Sequence, residues 1–88
     1  MNAQLDRVLV ERRKSHGDFA ANAEISQTLK AYIRVVPELN VVQREALEQI
    51  AMKLSRILSG NANFKDTWQD IAGYAILGMQ ACGDCDGG

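Results

Sequence analysis

Four stripes of apolar residues recur at helical spacing along this chain, separated by three breaks at Ser15-His16-Gly17, Pro37 and Ser59-Gly60-Asn61. No β-type alternation of useful length accompanies them. The pattern therefore confines the chain to an all-α fold with short connections. The first stripe, residues 2–14, lines up Leu5, Val8 and Leu9. Gly17 can take a positive φ and end that helix. Asp18 is a good N-cap for the next one. That second segment, residues 19–35, carries Ile25, Leu29, Tyr32, Ile33 and Val36. Pro37 closes it, because the residue before a proline avoids the α region. Asn40 with Gln43 three residues on predicts a capping box, and so a third helix from Val41. Its stripe is Leu47, Ile50, Ala51, Leu54, Ile57 and Leu58. A fourth helix over residues 64–80 is expected to turn Phe64, Trp68, Ile71, Ala72, Ala75 and Met79 inward. The expected architecture is four helices in one domain, residues 1–81, with a polar, glycine-rich tail over 82–88 that frays.

With 88 residues there is room for a single, limited core, and chains of this size are often helped by oligomerisation. A net charge of −1 gives no bulk electrostatic reason to bind a nucleic-acid polymer or an anionic membrane. The basic run Arg12-Arg13-Lys14 suits a helix C-terminus. No apolar run reaches the roughly 20 residues that cross a bilayer. The N-terminus, with Asp6 and Glu11, offers no apolar signal region. Cys82 and Cys85 form a lone Cys-x-x-Cys, two ligands where structural zinc takes four. A cytoplasmic protein with reduced thiols is the simplest expectation.

Chemistry concentrates at two places. In the fourth segment Asp66 and Asp70 stand four residues apart, stacked on one helix face with Gly73, Tyr74 and Leu77. Two carboxylates that close repel unless a cation or a basic side chain sits between them. They therefore mark either a magnesium-type site or half of a salt-bridge network. Gly73 costs about 1 kcal/mol relative to alanine inside a helix, which suggests close approach of another backbone or a ligand. On the third segment, at about 100° per residue, Glu45, Glu48, Gln49 and Arg56 lie opposite the apolar stripe. Met52 is among them and Lys53 stands at the border. Glu45 and Glu48 can be simply solvated there, while Met52 hints that this face too is covered. The second place is Lys14-Ser15-His16-Gly17-Asp18-Phe19-Ala20-Ala21-Asn22. His16 and Asp18 there are either helix caps or ligand-binding groups.

These residues together carry a resemblance. The loop Lys14-Ser15-His16-Gly17-Asp18-Phe19, the helix Ala51-Met52-Lys53-Leu54-Ser55-Arg56-Ile57-Leu58 and the run Asp66-x-x-x-Asp70-Ile71-Ala72-Gly73-Tyr74-Ala75 resemble a phage and prophage family of small helical domains. That family is similar in turn to the MazG-like all-α nucleoside triphosphate pyrophosphohydrolases. The resemblance implies a four-helix, MazG-like bundle completed by dimerisation. It also implies Mg²⁺ (or Mn²⁺) held by carboxylates, and cleavage of a (d)NTP to the monophosphate and pyrophosphate. By the same resemblance Glu45, Glu48, Asp66 and Asp70 would hold the metal. Asp70, Asp66 and Lys53 would carry catalysis, and Lys53 and Arg56 would contact phosphate oxygens. His16, Asp18, Asn22 and Tyr74 would line the nucleotide. The family's metal motif is Glu-x-x-Glu followed by Glu-x-x-Asp. Glu45-x-x-Glu48 fits the first half in form and Asp70 the final aspartate. Thr67 stands where the second glutamate belongs, and Asp66 lies one residue earlier.

A reading from a different class is a non-enzymatic helical interaction module of phage origin. In that case Lys53 or Arg56 saturates Asp66 and Asp70, and Met52 and Leu77 lie on an exposed or dimeric patch.

Overall fold

The computed structural model describes residues 18–83, which contain three helices and no strand. These are α1 (Phe19–Arg34), α2 (Val41–Ser59) and α3 (Lys65–Gln80). The expected first helix and the tail beyond Gly83, with Cys85, lie outside the described residues, as does His16. Expected boundaries hold to within one residue. Asp18 caps α1 by accepting from the Ala20 N–H at 2.9 Å. Asn40 and Gln43 form the expected capping box, with Gln43 N donating to Asn40 Oδ1 at 2.8 Å and Asn40 N donating to Gln43 Oε1 at 3.1 Å. Each bond satisfies a donor that the helix start leaves open. Before α3 the chain turns through Asn61–Phe64, where the Trp68 indole N–H donates to the Ala62 carbonyl at 2.7 Å.

The helices run antiparallel. Ser55, late in α2, bonds to Asn22, early in α1, while Arg44, early in α2, reaches the carbonyl of Ile33 at the end of α1. On the other flank Lys53 pairs with Asp70, and a Cβ placed on Gly78 would meet the Ala46 Cβ at 3.6 Å. Among the described residues α1 and α3 each pack on α2 and not on one another. On the helical wheel of α2, at about 100° per residue, Arg44 and Ser55 point nearly opposite to Ala46 and Lys53. The three helices therefore form a single layer with α2 in the middle.

Here the structure corrects the expected core. The inward stripes were expected to be the large apolar ones. Among the described residues, the buried apolar side chains are Ala51, as expected, and Ala46, joined by buried Asn22, Ser26, Ser55 and Thr67. Trp68 and Met79, expected to face inward, are 54% and 66% exposed, and Leu58 is 62% exposed. The cause is geometric. In a single layer the central helix touches its neighbours on two opposite flanks, and small residues at those flanks let the axes approach. The exposed large residues Leu58, Trp68 and Met79 lie off those flanks, on a side of the layer that faces neither neighbour.

Candidate functional site

The antiparallel arrangement brings the N-termini of α1 and α3 to the same end of the layer as the last turns of α2. Lys53 and Arg56, three residues apart, share a side of α2 there. Lys53 Nζ lies 3.0 Å from Asp70 Oδ2, with the lysine 15% and the aspartate 48% exposed. Asp66 stands one turn earlier on α3, exposed, on the same side as Asp70. Arg56 is half-buried, and its guanidinium has no hydrogen bond or ion pair among the described residues. On the other flank, the start of α1 brings Asp18 and Asn22 to this end. Thus Asp18, Asn22, Lys53, Arg56, Asp66 and Asp70 are gathered at one end.

The remaining candidates are not. Glu48 lies about 7–8 Å further down the α2 axis than Lys53, and Glu45 about 12 Å. Glu45 accepts instead from the Gln49 amide at 2.9 Å. Tyr74, expected to line the nucleotide on the face of Asp66 and Asp70, is half-buried at mid-length of α3. Among the described residues no three His, Cys, Asp or Glu side chains come together as a group that could hold a metal ion. As placed, the two glutamates and two aspartates do not form a magnesium cage, and one of the four is held by Lys53.

Thr67, at the position where the resemblance calls for a glutamate, is buried in the α2–α3 seam. A carboxylate there would be taken out of water, which is costly unless a cation is drawn in to pair with it. Asp66, one residue earlier, points away from the seam and stays solvated. Gly73 shows no close approach among the described residues, since a Cβ added there meets nothing within 4 Å.

Two residues of structural weight lie outside the expected set. Ser55 is fully buried, with its hydroxyl 2.6 Å from Asn22 Oδ1 and 2.6 Å from the Met52 carbonyl. One hydroxyl proton serves one acceptor at a time, so Asn22 is keyed to α2 through a shared proton. Arg44 donates to the carbonyls of Ile33 (2.8 Å), Val36 (2.9 Å) and Leu39 (3.3 Å). It closes the end of α1 and the loop after it. Polar residues at helical spacing are the signal that could have found Asn22, Ser26 and Ser55; an apolar wheel passes over them. No helix among the described residues is long and apolar enough to cross a membrane.

The chain belongs to the family described as "Domain of unknown function (DUF6378)", which matches residues 1–82. No curated protein and no solved structure matches it.

Proposed function

We propose that this protein is a nucleotide-binding domain related to the MazG-like pyrophosphohydrolases, acting on the phosphate chain of a (d)NTP. The architecture that goes with this reading is a four-helix, MazG-like bundle of phage type. The observation that carries it is the guanidinium of Arg56 beside Lys53, with no hydrogen bond or ion pair among the described residues, at the end of the layer that holds the N-termini of both flanking helices. Phosphate oxygens suit that combination, because a guanidinium binds them with two parallel donors and an ammonium binds them as a point charge. Helix N-termini favour anions as well. Asp18 and Asn22 would then border the nucleotide from α1, with Tyr74 deeper in. A phosphate group reaching Lys53 competes with Asp70 for it. That leaves Asp66 and Asp70 to orient the attacking water. Mg²⁺ or Mn²⁺ belongs to this proposal as the ion arriving with the substrate, since the described carboxylates do not gather a site beforehand.

The test is a hydrolysis panel. Purified protein with Mg²⁺, Mn²⁺ or EDTA is offered each ribo- and deoxyribonucleoside triphosphate, and pyrophosphate and phosphate release are scored separately. Pyrophosphate release is expected from the parent, with loss of at least about 100-fold, or ~2.7 kcal/mol, in Asp70→Asn and Arg56→Met. A blank panel, with no rise in melting temperature on adding nucleotide, overturns the reading.

One observation favours a second reading, the non-enzymatic interaction module. Lys53 already holds Asp70, and on the same side of the layer Leu77 is 51% exposed and Met52 half-buried. A blank panel moves the assignment there.

A further inference from the structure

The aromatic residues of the chain are Phe19, Tyr32, Phe64, Trp68 and Tyr74. Phe64 and Tyr74 are half-buried. Tyr32 stands in the last turn of α1, at the far end of the layer from Arg56. Trp68 is about 200° from Asp70 on the wheel of α3, and its indole N–H is held by the Ala62 carbonyl. Phe19 differs from all four. It is the first residue of α1, 80% exposed, with no ring contact among the described residues. One exposed ring is ordinary, so the argument is its place. Ser55 bonds to Asn22, and antiparallel packing therefore sets Arg56 level with the residue before Asn22. Phe19 lies about 3 Å further out along α1, across a helix spacing of roughly 8–10 Å. On the wheel of α1 it stands about 60° from Asn22, which faces α2, and about 140° from Tyr32. Phe19 is thereby turned toward α2 and toward the side of the layer that carries Arg56.

We propose that Phe19 is a stacking platform for the nucleoside: the base lies on its ring while the phosphates extend toward Arg56 and Lys53. This rests on the nucleotide reading above and deepens it, because it makes the nucleoside, and not the phosphate chain alone, what the site selects. Every base has a π-face that stacks on an aromatic side chain. A ring with no partner offers its own face without first breaking a contact. The separation of ring and guanidinium along and across the helices sets base and phosphates at opposite ends of one ligand. Stacking does not read the hydrogen-bonding edge of a base, so the platform accepts purines and pyrimidines alike. A bare polyphosphate meets Arg56 and Lys53 and gains nothing from Phe19.

The experiment is titration calorimetry of the full chain with Mg²⁺ and three ligands in turn. These are the α,β-methylene analogues of ATP and CTP, which resist cleavage, and inorganic tripolyphosphate. The parent is expected to bind both nucleotides at least about 10-fold more tightly than tripolyphosphate, within the range that one stacked base contributes. Phe19→Ala should remove that preference and leave tripolyphosphate binding as in the parent. Phe19→Trp should keep the preference, and Arg56→Met should weaken all three ligands. Equal binding of nucleotides and tripolyphosphate by the parent overturns the platform. So does a Phe19→Ala variant that keeps the preference or weakens all three ligands alike, or a Phe19→Trp variant that loses the preference. Each of these leaves the phosphate reading standing. Binding of one base without the other assigns a hydrogen-bonding pocket in place of a platform and overturns it too. A parent that binds none of the three overturns the nucleotide reading itself, and the platform with it.

Discussion

Between α1 and α2 the contact is polar at both ends. Ser55 and Asn22 share a buried hydrogen bond at one end, and Arg44 closes three carbonyls at the other. Between α2 and α3 the contact is made by small residues, Ala46 against Gly78 with Thr67 further along, by one half-solvated ion pair, and by exposed hydrogen bonds from Asn40 Nδ2 to the Ala81 carbonyl (2.9 Å) and from Gln43 Nε2 to Cys82 Sγ (3.6 Å). The difference teaches where specificity lies in a layer without a large apolar core. Hydrogen bonds fix the register of the first seam, because displacing either partner strands a buried polar group. The second seam is set by closeness of approach, and its ion pair and hydrogen bonds sit where water competes for them. The ion pair is therefore free to serve a ligand, and the buried serine is not.

Substitutions can break this contrast. Ser55→Leu should have the largest effect, about 3–5 kcal/mol of lost stability, since it overpacks a fully buried site and strands Asn22. Urea unfolding followed by circular dichroism measures it, and a loss below about 1 kcal/mol would remove the register role assigned to the first seam. Arg44→Ala comes next. Three carbonyls lose a charged donor, and about 2 kcal/mol is expected, with hydrogen-exchange protection lost first around Ile33 and Val36. Smallest is Lys53→Met, between about 0 and 1 kcal/mol, as for an exposed pair. The same variant should lose most of its nucleotide-dependent thermal shift. A stability loss as large as that of Arg44→Ala would make the Lys53–Asp70 pair structural and equate the two seams.

Helix positions and caps were legible in the sequence because they are local. Asp18, Asn40 and Gln43 act on backbone donors two or three residues away, so one-dimensional spacing suffices to find them. The cluster of Lys53 and Arg56 with Asp66 and Asp70 was legible in part, since each pair shares a helix. What failed was the inference from an apolar stripe to the interior. Leu47, Leu58, Trp68 and Met79 form proper stripes, but a stripe states only that a face avoids water, not which element covers it. Gly73 likewise finds no backbone neighbour among the described residues, which leaves a ligand as the remaining half of its expected use.

By itself, then, the sequence determined the helices, their ends and the pairing of chemical groups within each, through the fixed period of the α-helix and the unpaired donors at its start. Tertiary structure alone decided that Glu45 and Glu48 stand about one to two turns from the level of Asp70, and a further turn from Asp66. It also decided that Thr67 is buried and that Lys53 reaches Asp70. These depend on the axial offset and spacing of antiparallel helices. That offset is set by small and polar seam residues such as Ala46, Gly78, Ser55 and Asn22, whose effect is visible only once the helices are packed.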